Sequence, residues 1–258
     1  MKRHILFTAA NTFKFLGSSA TLSGCLNDSA ENRQDAATNW RKSGWDKVSF
    51  DLRENMNTAD YVRECLDKIV ADMNATDDID ILWINNSSHG THFRDRITGQ
   101  TVSCTVCYDS NWDKPASFIS KLDYKRAIDK LKPQKRVFSL YDSCESGNIG
   151  DSFRLMADFT KLNRWIEPPS DVHRDLTEVV DVRYNPKQCC TMAGCEEDGT
   201  CADVHDAVPH GLFNRTRIQT TTANPTLKWS ALAAAINKKM SGQKCVPNGP
   251  EWTFLQEN

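Results

Sequence analysis

The chain has 258 residues, of which 39% are hydrophobic and 26% charged, and a formal net charge of −2. That length suits one large domain or two small ones, with ordinary globular proportions. The near-balanced charge argues against nucleic acid as a partner, and no apolar run approaches the ~20 residues of a membrane-crossing helix.

Lys2 to Ala9 reads as a buried first strand. The start, Met1 to Asn11, superficially resembles a signal peptide, but its apolar core is short and Asn11 interrupts it. Leu22 to Lys42 reads as a helix with a loop-like start, closed by Gly44. Val48 to Asp51 is a short second strand. Asn57 or Thr58 then caps a helix in which Val62, Cys65, Leu66, Ile69, Val70 and Met73 recur at the spacing of one helix face. Ile79 to Ile84 is a third strand, Leu122 to Leu131 a helix stopped by Pro133, and Arg136 to Tyr141 a fourth strand. Val179 to Val182 reads as a small strand or hairpin arm, and Cys189 to Ala193 as a fifth strand. Trp229, Leu232, Ala233, Ile236 and Met240 mark a last amphipathic helix, and Trp252 to Leu255 a final strand. Strands alternating with helices imply parallel pairing with helices on both faces.

The ten cysteines fit reduced thiols in a cytoplasmic protein better than a secreted disulfide framework. The run Cys189, Cys190, Cys195, Cys201, His205, His210 has a zinc-like composition, but its spacings do not form two clean ligand pairs. A zinc-stabilised interaction module is the alternative it keeps open.

Two segments carry the chemistry. Ser87-Ser88-His89-Gly90-Thr91 follows the third strand, and Asp142-Ser143-Cys144-Glu145-Ser146-Gly147 follows the fourth. Parallel neighbouring strands bring their carboxyl ends together, where open α/β sheets place their sites. A Cys beside a His is a nucleophile with its base. Cys144 is the expected nucleophile and His89 the base. Asp142 lies two before Cys144, so on an extended strand both side chains share a face.

These two segments resemble the caspase-fold cysteine peptidases, and the metacaspase branch most. A third stretch, Leu22 to Ala30 with Cys25 and Asp28, and a weaker one, Ala193-Gly194-Cys195 through Ala202-Asp203 and Gly211-Leu212-Phe213, agree in order and spacing. The resemblance implies an α/β, three-layer caspase-hemoglobinase-like fold: a mostly parallel six-stranded sheet with helices on both faces. It implies one peptidase domain over 1–258, in which residues 1–147 are large-subunit-like, 148–187 a linker and 188–258 small-subunit-like. It also implies a cysteine-type endopeptidase that needs no cofactor for its chemistry and acts on peptide or protein substrates, expected here as a cytoplasmic monomer.

The resemblance assigns the oxyanion hole to the backbone N–H groups of Gly90 and Cys144, and a substrate pocket to Cys25, Asp28, Ser87 and Asp142. Caspases place Gln where Asp142 stands. An acidic pocket repels aspartate and attracts arginine or lysine, so cleavage after basic residues is expected. A legumain-like, non-basic preference and a catalytically silent scaffold are the alternatives. A capping role for Asp28 at its helix start is also open.

The chain departs from the family at Glu145, where a His is usual, and at Ser120-Lys121, where an acidic doublet is usual. Of Asp109, Asp113, Asp123 and Asp151, only Asp151 falls in register as a calcium ligand, so calcium dependence stays open. The stretch Asn148 to Lys187 is long for a loop and carries Arg154, Lys161, Arg164, Arg174, Arg183 and Lys187. Self-cleavage there is expected, with an ordered insertion around Phe153 to Trp165 as the alternative.

Overall fold

The computed structural model describes residues 2–40, 50–143, 161–164, 166–173, 187–195, 201–204 and 207–254. Cys144, Glu145 and Asp151, the arm expected over 179–182, and His205 lie outside the described residues.

In chain order the elements are β1 (Lys2–Ala9), α1 (Cys25–Asp35) running into a π-helical turn (Ala36–Trp40), β2 (Phe50–Arg53), α2 (Ala59–Ala75) and β3 (Ile79–Ser87). Then come β4 (Gly90–Arg94), β5 (Thr101–Thr105), β6 (Ile119–Ser120), α3 (Lys121–Ile128), β7 (Arg136–Asp142) and β8 (Lys161–Asn163). The chain continues through β9 (Cys189–Ala193), β10 (Ala202–Val204), β11 (His210–Gly211), α4 (Leu212–Ala223), α5 (Trp229–Asn237) and β12 (Val246–Asn248).

The central sheet has the order β12-β9-β7-β3-β1-β2. Its first five strands in chain order run parallel, and β12 alone pairs antiparallel, against β9. This is the expected mostly parallel six-stranded α/β sheet with a helical layer on each face. Side-chain alternation builds both layers. Ile5, Phe7, Ile81, Trp83, Phe138, Leu140, Cys190 and Met192 face Phe213 of α4 and Trp229, Leu232, Ala233 and Ile236 of α5. Leu6, Leu82, Ile84, Val137, Tyr141 and Cys189 face Val62, Cys65, Leu66, Ile69, Val70 and Met73 of α2 together with α3. Each fully buried large apolar side chain contributes about 1.5–3 kcal/mol, which outweighs the weak intrinsic helicity of the connecting segments.

Local chemistry sets the helix starts. Thr58 caps α2 by accepting the Tyr61 N–H, and Ser120 closes a reciprocal capping box with Asp123 at α3. The cap of α1 comes from far off. Gly24 has no side chain to offer, and Asn11, just past β1, accepts the Cys25 N–H at 2.9 Å.

Several expectations need correcting. The first helix is α-helical only from Cys25 to Asp35, and the third ends at Ile128 rather than Leu131. Residues 252–254, the described part of the expected final strand, do not form a sheet strand. Trp252 and Phe254 pack their rings on Phe138, but the free edge of β9 is taken by Val246–Asn248. Pro247 is tolerated there because an edge strand can lack a donor. Helix α4 and the three-stranded antiparallel sheet β4-β5-β6 were not foreseen. α4 buries Asn214, Thr216, Arg217, Thr220 and Thr221, so it shows no apolar period. Arg217 is neutralised by Asp35 at 2.6 Å and lies over the Trp83 ring. A second small sheet, in the order β11-β10-β8, sits at the carboxyl end of the main one.

Candidate active site

β1, β3 and β7 are adjacent, and their last residues are level: Ala9 pairs with Ser87, and Ser87 with Asp142. The strand order reverses direction at β1, so this row of strand ends is where an α/β sheet opens a crevice. α1 comes down on the same end, carrying Cys25 and Asp28. Ser23 and Gly24 lie against Asp203 of β10.

The structure brings Asp28, Ser87, Asp142 and Asp203 around one guanidinium, that of Arg164. This side chain is 0% exposed. Its Nη2 donates to Asp28 Oδ2 at 2.7 Å and Asp203 Oδ1 at 2.8 Å. Its Nη1 donates to Ser87 Oγ at 2.7 Å and to the Asp142 carbonyl at 2.9 Å, and lies 3.4 Å from Asp142 Oδ2. The Ser87 hydroxyl in turn donates to Asp28 Oδ2 at 2.6 Å. The second oxygen of Asp28 accepts the Gly211 N–H at 2.8 Å. Cys25 is fully buried, and burial pushes its thiol far up, so it lines the site as a neutral group.

Three carboxylates around one cation leave excess negative charge in a dry place. Burial pushes Asp142 up to about 7, against the pull of Arg164 and the Asn214 N–H and with the push of Asp28. Its Oδ1 is buried without a hydrogen-bond partner among the described residues. Burial would also raise Asp203, but the charge and hydrogen bond of Arg164 and the N–H groups of Ser23 and Gly24 hold it below the usual range. Arg164 is pushed well up, because its carboxylate neighbours outweigh the burial that opposes its charge.

The pocket admits no extra atoms. A Cβ on Gly24 would fall on the Asp203 carboxylate and the His210 backbone. One on Gly211 would fall on the Asp142 carboxylate and the Arg164 guanidinium.

His89 lies just beyond β3 and is 4% exposed. Its Nε2–H donates to the Ala20 carbonyl at 2.7 Å, and its ring sits 5.3 Å from that of Phe13. That bond fixes the tautomer and leaves Nδ1 as the unprotonated nitrogen. Nδ1 is buried without a hydrogen-bond partner among the described residues. Burial pulls the imidazole down to about 4, with the hydrogen bond to the Ala20 backbone acting the other way. The ring is therefore a neutral base at pH 7.

The backbone around Arg164 is held as closely as its side chain. Lys161–Asn163 forms β8, antiparallel to β10. The Arg164 N–H donates to the Cys201 carbonyl at 3.0 Å. The Gly90 N–H donates to the Arg164 carbonyl at 2.8 Å, and Ile166 N–H donates back to the Gly90 carbonyl at 3.1 Å.

Sequence reasoning therefore named His89, Gly90, Cys25, Asp28, Ser87 and Asp142, which meet in one place, and Cys144 and Asp151, which lie outside the described residues. It placed Asp203 in a matching stretch without giving it a role, and counted Arg164 as one of six linker cations. Asp28 is not the cap of α1, which falls at Gly24. Asp109 and Asp123 are committed to helix starts, by the Ala59 N–H and by Ser120 and Arg63. Among the described residues no group of three or more His, Cys, Asp or Glu is arranged to hold a metal. Cys189 and Cys190, adjacent in the zinc-like run, enter opposite core layers because neighbouring strand residues point apart. Among the described residues no helix is long and apolar enough to cross a membrane.

No protein-family model matches the sequence, and no curated protein sequence matches it. Solved structures do match. Protein GSU0716 from Geobacter sulfurreducens superposes with a TM-score of 0.69 at 15% identity, over 99% of this chain and 97% of that one. Caspase-1 from Spodoptera frugiperda superposes with a TM-score of 0.58 at 12% identity, over 95% of this chain and 84% of that one. At such identities the likeness is one of fold, and the fold is caspase-like.

Proposed function

We propose that the chain is a cysteine endopeptidase that cuts after arginine or lysine, with Cys144 as nucleophile and His89 as base. The observation that carries this reading is the seat of Arg164: a guanidinium among Asp28, Asp142 and Asp203, with its own carbonyl on the Gly90 N–H beside His89. A substrate arginine in that seat has its scissile carbonyl polarised by Gly90 and next to the unprotonated Nδ1.

Cys144 follows Asp142 by two residues in the sequence, and Asp142 ends the strand next to the one that leads to His89. In this reading Nδ1 takes the thiol proton and the thiolate adds to the carbonyl carbon. The Gly90 N–H, with that of Cys144, then stabilises the oxyanion. The imidazolium returns the proton to the leaving amine, and water resolves the thioester. The caspase-like fold is consistent with this chemistry and does not by itself assign it.

Short fluorogenic peptides with Arg, Lys, Asp or Asn at P1 test it. Arg and Lys should be hydrolysed, Asp and Asn hardly at all, and Cys144→Ala should hydrolyse none. Faster hydrolysis of P1 Asp than of P1 Arg by the wild type would overturn the basic preference. Activity persisting in clean Cys144→Ala would overturn the nucleophile.

A further inference from the structure

We propose that Glu54 is a positioning residue for this site: by holding the loop between β1 and α1, it keeps the Phe13 ring against His89 and the Asn11 side chain on the start of α1. The role of His89 as a base rests on the peptidase reading above. The positioning rests on geometry alone.

The loop supplies three parts of the site. Ala20 offers its carbonyl to His89 Nε2 at 2.7 Å. The buried Phe13 ring lies 5.3 Å from the imidazole, tilted by 42°. The Asn11 side-chain carbonyl accepts the Cys25 N–H at 2.9 Å and the Leu26 N–H at 3.4 Å, so it caps the helix that carries Asp28. Between Ala9 and Cys25 only the single turn Ser18–Ala20 is regular, so the loop needs partners outside itself to keep this shape.

Glu54 is such a partner, from the far end of β2. Its carboxylate accepts the Asn11 N–H and the Thr12 N–H, each at 3.2 Å, and the Thr12 hydroxyl at 2.7 Å. A second grip starts from the same turn. The Glu54 carbonyl accepts the Asn57 N–H, the Asn57 carbonyl accepts the Tyr108 N–H, and the Tyr108 carbonyl accepts the Lys14 N–H. Thr12 and Lys14 are thus held on either side of Phe13.

The Glu54 backbone sits where a long side chain is disfavoured. Its φ is +46°, and among the described residues no other non-glycine residue has a positive φ. Glycine takes that conformation at little cost, whereas a Cβ crowds the following carbonyl there. Strain of this kind persists where the surroundings over-determine it. The three bonds from Asn11 and Thr12 do so here.

The consequence falls on His89. Phe13 shields the imidazole from water, and a dry imidazole stays neutral. Burial is the main cause that holds it at about 4. Of the charged groups that act on the ring, Arg164 lowers it and Asp203 raises it. Lys14, the cation of the loop, holds its ammonium over the Phe15 ring at 5.0 Å. Changes at Glu54 or Phe13 leave all three in the chain, so a shift in the titration reads the cover.

Histidine Cε1 signals are followed against pH by NMR in the wild type, Glu54→Gly, Glu54→Gln and Phe13→Ala, with His89→Ala assigning the His89 signal. Glu54→Gly removes the carboxylate and the left-handed strain in one step, which guards the fold. Glu54→Gln keeps the length and one acceptor oxygen. His89 should titrate at least one pH unit higher in Phe13→Ala and in Glu54→Gly than in the wild type, with Glu54→Gln between. A wild-type His89 titration in Glu54→Gly, with only Tm lowered, would overturn the positioning role. A shift in Glu54→Gly that Phe13→Ala does not reproduce would overturn its action through Phe13.

An arginine reporter gives the second readout. A base must be unprotonated, so the acid limb of kcat/KM should move to higher pH by the same amount as the NMR titration. A limb that stays in place while the titration moves would overturn His89 as the base and leave the positioning of its ring. A wild type that hydrolyses no reporter would overturn the peptidase reading, while the NMR titrations still decide what Glu54 does.

Discussion

Ser87 and Asp142 are register partners on adjacent parallel strands, and both bond the same guanidinium, Ser87 through its hydroxyl and Asp142 through its carbonyl. The pairing sets the two motif segments level. His89 is two residues beyond Ser87, and Cys144 two beyond Asp142 in the sequence. In the proposed reading, selectivity and chemistry therefore depend on one row of the sheet.

Replacing either proposed catalytic side chain should leave the fold and remove the reaction. Cys144→Ala and His89→Ala are each expected to lower kcat/KM for an arginine reporter by several orders of magnitude. Circular dichroism checks that the fold persists in each variant. Wild-type turnover in His89→Ala would show that another group takes the thiol proton.

Asp142 and Asp203 should both matter for basic substrates. Asp142→Asn should raise KM for P1 Arg and lower kcat. Asp203→Asn should cost about as much, since Asp203 is charged and bonds the guanidinium directly, and a charge-assisted bond is worth about 1.5–3 kcal/mol. That corresponds to roughly 10- to 150-fold in kcat/KM. Unchanged kcat/KM in Asp203→Asn would remove it from the pocket.

Stability should vary with pH through Asp142. Its carboxyl titrates at about 7 in the fold against an ordinary value of 3.8. The folded state therefore keeps this proton where the unfolded chain has lost it. The contribution to stability is full below about pH 4 and fades as pH rises through 7. Asparagine cannot ionise. In a Cys144→Ala background, Asp142→Asn should gain on its parent between pH 5 and pH 8, by several degrees in Tm at roughly 2–4 °C per kcal/mol. A difference that stays flat with pH would contradict a proton held on Asp142.

Gly24 and Gly211 should tolerate no side chain. Each added methyl meets a pocket carboxylate, and at Gly24 it also meets backbone. Overpacking of this kind costs about 1–3 kcal/mol. Gly24→Ala and Gly211→Ala should each lower Tm. An unchanged Tm in both would show that the pocket is looser than described.

Much of this molecule was legible before any fold was known. The apolar runs of β1, β3, β7 and β9 and the period of three and four in α2 and α5 follow from which faces must leave water, and those elements form where expected. The motif residues were legible because a strand end, a histidine and a cysteine make chemical sense in few other arrangements. Helix α4 was not legible, because its buried face is polar and finds partners in distant groups, Asp35 and Asn32 of α1 and Asp142 and Asp28 among them.

The seat of Arg164 was beyond the sequence for the same reason. A buried guanidinium needs several carboxylates converging from distant places, here 136, 22 and 39 residues away along the chain. Composition sees six equivalent cations in one stretch. Only the meeting of α1, β7 and β10 supplies enough negative charge, away from water, to hold one of them. The sequence determined which residues stand at the strand ends, through local periodicity, and the family resemblance implied the chemistry they could do. The tertiary structure decided which arginine they receive, because desolvated charge pairing depends on distances that no local pattern encodes.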